Sequence, residues 1–146
     1  MLEIKKIAPE DTYSLRQSAL RPNQPIEASK YEIDYLEDTF HLGAFLDGIL
    51  ISIASFYKEK NPCFTDEVQF RLRGMATLPE YRKQKAGSSL ILHAEELLRE
   101  KKVTLWWCNA RTTVSNYYKK LGLSECGEVF EIDPIGPHKL MFKKLS

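Results

Sequence analysis

The chain has 146 residues, with 21 Lys+Arg against 20 Asp+Glu and a formal net charge of +1. That length suits one domain, residues 1–146, with enough chain to bury a core without staples or metals, and 43% hydrophobic with 28% charged residues is a globular composition. Near-neutral charge argues against a general nucleic-acid binder, and no apolar run reaches the roughly 18 residues that cross a bilayer. The start, with Glu3, Lys5 and Lys6, lacks a signal-peptide apolar stretch, and Cys63, Cys108 and Cys126 form no CxxC spacing. A soluble cytoplasmic protein is expected, with neither nucleic acid nor membrane as partner.

Leu2, Ile4 and Ile7 predict an opening strand, and Pro9 with Glu10-Asp11-Thr12 begins a helix carrying Leu15, Ala19 and Leu20 on one face. Residues 21–29, with Pro22, Asn23 and Pro25, read as a loop, and the acidic stretch Glu27–Asp38 as a short helix with a solvated face. Phe40–Leu46 and Ile49–Tyr57 form a hairpin across Asp47-Gly48. Glu67–Thr77 is a strand ended by Pro79. Gly87–Lys102 is an amphipathic helix with Leu90, Ala94, Leu97 and Leu98 inward and Glu95, Glu96, Arg99 and Glu100 outward. Val103–Cys108 is a nearly continuous apolar run, as in a strand buried on both faces. Val114, Tyr117, Tyr118 and Leu121 fall at helical spacing before Gly122, and two last strands cover Leu123–Ile132 and His138–Leu145. This order is an α/β sheet with helices on its faces.

The segment Pro79–Ser88 carries the chemistry. A strand ends, a basic small-residue loop follows, and a helix begins, which aims backbone N–H groups and the helix's positive end at an anion. Arg82, Lys83 and Lys85 add charge to that cradle. The segment is neither a Walker A loop nor a dinucleotide Gly-x-Gly-x-x-Gly, and a solvated basic turn is the plainer alternative. Arg82-Lys83-Gln84-Lys85-Ala86-Gly87 resembles the pyrophosphate loop of the GNAT family of acyl-CoA-dependent N-acetyltransferases, whose pattern is Arg/Gln-x-x-Gly-x-Gly/Ala. Met75–Tyr81 looks like the strand that leads into that loop. Asn109-Ala110-Arg111, followed by Tyr117-Tyr118-Lys119-Lys120-Leu121-Gly122-Leu123, is similar to the family's second signature, an Asn before a helix ending Phe-Tyr-x-x-Leu-Gly-Phe.

The resemblance covers essentially the whole chain. It implies a mixed, mostly antiparallel central sheet of six or seven strands flanked by about four helices, with acetyl-CoA as donor. It also implies a cofactor site of Met75, Ala76, Thr77, Arg82, Lys83, Gln84, Lys85, Ala86, Gly87, Ser88 and Asn109. Lys85 departs from the pattern, since the family usually has its first loop glycine there. With an ordinary α-type backbone there the side chain can point away and its ammonium reach a phosphate; with any other backbone a weaker, but not abolished, affinity for the cofactor is expected.

Tyr118 matches the tyrosine that protonates the departing CoA thiolate in the resembling enzymes, and a phenol near pKa 10 is a competent acid for that task; simple packing against Val114 and Leu121 is its alternative. The family's catalytic Glu falls near Arg71, which cannot accept a proton. Glu67, His41, Glu131, Asp133, His138 or water remain as the base. Arg71 and Arg73 alternate on one strand and share a face with Gln69, which makes them, with Glu131 and His138, candidates for contacting the acceptor. Ion pairing with neighbouring carboxylates is the alternative for the arginines. Cys108 reads as core.

The function expected is acetyl transfer to a primary amine of a small molecule, with no metal. Peptide or protein N-terminal acetylation, a non-catalytic CoA-binding module, and a plain interaction domain are the alternatives. A homodimer is a reasonable expectation for a small enzyme.

Overall fold

The computed structural model describes residues 1–145. In chain order it contains β1 (Leu2–Ile7), α1 (Tyr13–Leu20), β2 (Phe40–Leu46), β3 (Ile49–Lys58), β4 (Gln69–Thr77), α2 (Ala86–Glu100), β5 (Leu105–Arg111), α3 (Ser115–Lys120), β6 (Ser124–Ile132) and β7 (Gly136–Lys144), with short 3-10 turns between them. The strands form one mixed sheet in the order β1-β2-β3-β4-β5-β7-β6. The β1–β2, β2–β3, β5–β7 and β6–β7 pairs are antiparallel, whereas β4 and β5 run parallel over Gln69–Arg71 and Leu105–Trp107. The chain divides into two compact units, Met1–Tyr57 with Leu72–Leu97, and Lys58–Arg71 with Leu98–Ser146.

The first unit is organised by the β2–β3 hairpin. Asp47 and Gly48 both have positive φ, 50° and 84°, the backbone of a tight two-residue turn whose twist matches that of the strands. Leu15 of α1, Ile53 of β3 and Ala76 of β4 meet in a core closed by Ile7, Ala19, Leu20, Leu50 and Leu78. Ile53 is wholly buried, and burial of such a side chain contributes about 1.5–3 kcal/mol.

The acidic stretch departs from expectation. Instead of one helix it forms two 3-10 turns, Ile26–Ser29 and Glu32–Tyr35, and Asp34, expected on a solvated face, is buried. Its carboxylate accepts the Tyr31 backbone N–H at 3.1 Å, which closes a turn where a helix would have continued. On α2 the buried stripe is Ala86, Leu90, Ile91, Ala94 and Leu98, while Leu92 is 61% exposed. Glu95, expected outside, is buried too, because it lies four residues after Ile91 and three before Leu98, at the edge of that stripe. The helix stops at Glu100, two residues earlier than expected, where Lys102 turns left-handed and Val103 N–H returns to Leu98 O at 3.0 Å.

In the second unit, Leu105 and Trp107 of β5 and Leu140 of β7 pack with Phe64, Cys126, Phe130 and Phe142. β5 registers with β7 from Leu105↔Lys144 to Arg111↔His138.

Candidate active site

In the first unit β4 ends at a built corner. Ser52 Oγ of β3 donates to Ala76 O at 3.1 Å and lies 2.7 Å from Thr77 Oγ1. One residue on, Leu78 N–H donates to Ile51 O at 2.8 Å. These bonds fix the strand end before the 3-10 turn Pro79–Gln84 and the start of α2 at Ala86. Arg82, Lys83, Gln84 and Lys85 are exposed on this turn, whereas Ala86 and Gly87 are buried and Ser88 half-buried. Lys85 joins turn to helix at φ 59°, ψ 25°, so the backbone there is left-handed and not the ordinary α-type. A lysine therefore holds the conformation for which glycine is usually selected. Its carbonyl accepts both the N–H and the hydroxyl of Ser89, at 3.1 and 3.0 Å, and the N–H groups of the first turn have no partner within the helix.

Just upstream, Gly74 has φ +68° in the middle of β4. A Cβ there would come within 3.1 Å of Arg16 Nε and 3.3 Å of the Tyr31 ring, so both the backbone and the neighbours demand glycine.

Arg16, absent from the expected site, is the hub of this region. It is buried, with Nη1 donating to Asp34 Oδ2 at 2.8 Å and to Ser29 O at 2.8 Å, and Nη2 donating to Asp34 Oδ1 at 3.0 Å, Ser55 Oγ at 2.9 Å and Tyr57 Oη at 3.1 Å. Tyr57 O–H in turn donates to Asp34 Oδ1 at 2.6 Å. Burial alone would raise the Asp34 carboxyl; the hydrogen bonds from Arg16 and Tyr57 and the Arg16 charge outweigh it and hold Asp34 below the usual carboxylate range. His41 belongs to the same network. Its Nε2 donates to Asp34 O at 3.1 Å, which leaves Nδ1 as the acceptor, 2.6 Å from Ser55 Oγ. Burial pushes the imidazole below its ordinary value, with the Asp34 carbonyl and charge opposing. His41 is thus a neutral structural member and not a free base. The signal for this hub lay in the sequence, since Arg16, Ala19 and Leu20 share one helical face.

A concavity of about 430 Å³ opens beside the hub, lined by Arg21, Glu27, Ala28, Lys30, Tyr31, Glu32, Ile33 and Arg73. The guanidinium of Arg73 stands 4.1 Å from the Tyr31 ring centre.

In the second unit Arg71 stacks 5.1 Å from the Trp107 ring and pairs with Glu59 at 3.4 Å. The Trp107 indole donates to Glu59 O at 3.0 Å, so the pairing alternative is the one realised at Arg71. Asn109 registers opposite Leu140. Tyr118 on α3 is buried and packs edge-on to Tyr117, ring centres 5.4 Å apart. Burial, followed by the Cys108 thiol and the Tyr117 phenol, raises Tyr118 well above the ordinary phenol value, so it keeps its proton. Burial also pushes the Cys108 thiol up to about 12, which makes it inert as a nucleophile. Lys143 Nζ donates to Leu121 O at 2.9 Å and pins the end of α3. Of the other candidates, Glu67, Glu131 and Asp133 are exposed, while His138 is buried with Nδ1 2.8 Å from Gly136 O.

Residues 9–123 match the acetyltransferase (GNAT) family. The chain belongs to that family. Over 145 residues it is 56% identical to the uncharacterized N-acetyltransferase YitI of Bacillus subtilis (strain 168), covering 99% of this chain and 97% of that protein. Among solved structures, aminoglycoside 6'-N-acetyltransferase complexed with coenzyme A superposes with a TM-score of 0.78 at 12% identity, over 99% of this chain and 97% of that one. An acyl-CoA N-acyltransferase from Pseudomonas aeruginosa gives 0.76 at 21% identity, over 98% and 99%. At such identities these structures speak to the fold alone, and they share the GNAT fold expected from the sequence. Family and relative together make the protein an acyltransferase enzyme, an N-acetyltransferase. Within this GNAT enzyme the departure at Lys85 is a left-handed lysine in the loop position where the family usually has glycine.

Proposed function

We propose that this N-acetyltransferase moves an acetyl group from acetyl-CoA to the primary amine of a small-molecule acceptor by direct transfer, residues 1–146 acting as one N-acyltransferase domain. The observation that carries this reading is the turn Pro79–Gln84 running through left-handed Lys85 into α2. It presents exposed Arg82, Lys83 and Lys85 and the first amides of a fifteen-residue helix on one short segment, a combination suited to a pyrophosphate. The backbone from Gln84 to Ser88 lines that cradle. Met75, Ala76 and Thr77, the last two bonded to Ser52, present strand backbone for the donor's extended arm, and Asn109 contacts the same arm.

Acetyl-CoA supplies the thioester whose C–S bond is exchanged for a C–N bond. The acceptor attacks as the free amine and sheds its proton to water or to one of Glu67, Glu131, Asp133 and His138; Arg71 cannot accept it and His41 is locked in its network. Tyr118 gives its phenolic proton to the departing sulfur. Its raised pKa means that the phenol is in the protonated, acid form across the working range. The 430 Å³ concavity is the size of a small-molecule pocket, which supports a small acceptor over a polypeptide.

Titration calorimetry with acetyl-CoA and thiol release across a panel of amines test the reading together. Saturable heat and amine-dependent thiol release are expected. Tyr118→Phe should lower kcat about 100-fold while the heat of acetyl-CoA binding persists. Undiminished turnover in that variant removes Tyr118 as the acid.

A further inference from the structure

In the second unit, His138 on β7 has one ring nitrogen tied and the other unengaged. The residue is only 4% exposed, and its Nδ1 lies 2.8 Å from Gly136 O. A carbonyl oxygen only accepts, so Nδ1 carries the proton and the neutral ring keeps its lone pair on Nε2. That Nε2 has no hydrogen-bond partner among the described residues, yet it is not one of the polar atoms sealed from solvent. The ring is held inside while its basic nitrogen opens outward. Phe130, directly opposite on β6, steadies it, with ring centres 6.1 Å apart and planes 32° from parallel. His41 shows the contrast: buried for structure, it has partners on both nitrogens.

Register fixes what His138 faces. Its direct partners are Arg111 on β5 and Phe130 on β6. Asn109, two residues before Arg111, shares that face of β5 and lies one diagonal step from His138, roughly 7 Å between Cβ atoms. Glu131 and Lys139 alternate to the opposite face, and the adjoining 3-10 turn Thr112–Val114 carries no charge. Arg111 is therefore the charge that faces His138 from these elements. Asn109, Arg111 and Phe130 have no group that takes up a proton at working pH, so on this stretch of the face the imidazole is the proton acceptor.

We propose that His138 is the general base of the acetyl transfer, receiving the amine's proton at Nε2. This rests on the acetyl-transfer reading above, in which neighbouring Asn109 meets the donor's arm. The amine nitrogen's lone pair forms the C–N bond, the C–S bond breaks, and its electron pair stays on sulfur. The proton lost by nitrogen passes to His138 Nε2, the sulfur receives one from Tyr118, and exchange with solvent restores both side chains. Gly136 O accepts Nδ1–H in both protonation states, so the ring keeps its orientation through the cycle. Tyr118 stands near Cys108, which alternates to the other face of β5, so acid and base do not compete for one proton.

The test uses the whole enzyme and a substitution that spares the structural bond. His138→Asn places an amide N–H where Nδ1–H was and has no counterpart of Nε2, so a purely structural residue would tolerate it; His138→Gln is the second variant if the first does not fold. Thiol release from acetyl-CoA is followed with ethanolamine, cadaverine and 2-phenylethylamine as acceptors. In the variant kcat should fall about 100-fold while the heat of acetyl-CoA binding persists. The acid limb of the kcat–pH profile should vanish, and added imidazole should restore part of the rate. An unchanged kcat, or a fall that keeps the acid limb and resists imidazole, overturns the proposal. Diethyl pyrocarbonate, which acylates an accessible neutral imidazole nitrogen, gives a readout free of turnover. Peptide mass spectrometry should find His138 carbethoxylated in the wild-type enzyme and protected by acetyl-CoA. A His138 that stays unmodified, or that acetyl-CoA does not protect, overturns the assignment even if none of the three amines is a substrate. An absence of saturable heat with acetyl-CoA overturns the acetyl-transfer reading itself; saturable heat without protection overturns only the role of His138.

Discussion

Two clusters of positive charge in the first unit are built in opposite ways. Arg16 is wholly buried, with its counter-ion Asp34 equally buried beside it and Ser29, Ser55 and Tyr57 completing its hydrogen bonds. Arg82, Lys83 and Lys85 stand exposed on a turn that leads into a helix N-terminus. A buried cation that brings its own anion is part of the scaffold, because desolvation has already committed it. Exposed cations keep their hydration and can exchange it for a ligand's oxygens. The difference separates scaffold from surface: the Arg16 centre is fixed beside Tyr31, and the basic turn keeps its cations exposed, as the proposed pyrophosphate contact requires.

Removing one partner from each cluster separates the two roles most sharply. Asp34→Ala leaves the Arg16 charge buried and uncompensated, and should destabilise the fold by about 3–5 kcal/mol, a fall of ~10 °C in melting temperature. Arg82→Ala should leave the melting temperature unchanged and weaken acetyl-CoA binding severalfold, by calorimetry. A mild melting-temperature change for Asp34→Ala would mean that the buried pair is not structural.

The acidity of the same centre gives the next contrast. The fold favours neutral His41, so as pH falls below the ordinary imidazole value of about 6.5 the unfolded chain takes up a proton that the folded chain resists, and stability declines. Asp34, held below its ordinary value, adds a second loss of stability only as the pH drops below about 4. Thermal melts between pH 7.5 and 5 should show the first decline, and His41→Gln should flatten it. An unchanged slope in that variant would place the titrating group elsewhere.

Much of this was legible in the sequence. The Asp47-Gly48 hairpin, the apolar β5 and the basic segment before α2 all follow from local rules, and two short signatures sufficed to suggest the family. What escaped was decided by non-local packing. Asp34 reads as one more carboxylate in an acidic stretch, and only the arrival of Arg16 from α1, with Ser55 and Tyr57 from β3, turns it into an interior group. Arg71 and Arg73 look equivalent two residues apart, yet Glu59 and Trp107 engage one and Tyr31 the other. Gly74 was invisible for a related reason: its need comes from the Arg16 and Tyr31 side chains that crowd it, and neither lies near it in sequence.

Lys85 combines both kinds of constraint at one residue, exposed like its neighbours yet held left-handed. A non-glycine residue in that region costs about 1–2 kcal/mol, while glycine costs about 0.5–1 kcal/mol in unfolded-chain entropy. Lys85→Gly should therefore raise stability by about 0.5–1 kcal/mol, or ~2 °C in melting temperature. Lys85→Ala removes the same charge but retains the strain, so it should melt below the glycine variant. If the charge is what Lys85 contributes to cofactor binding, both variants should lose acetyl-CoA affinity to the same extent. If the Cβ obstructs the ligand, the glycine variant alone should gain affinity. Equal melting temperatures for the two would show that the left-handed backbone at Lys85 stores no strain.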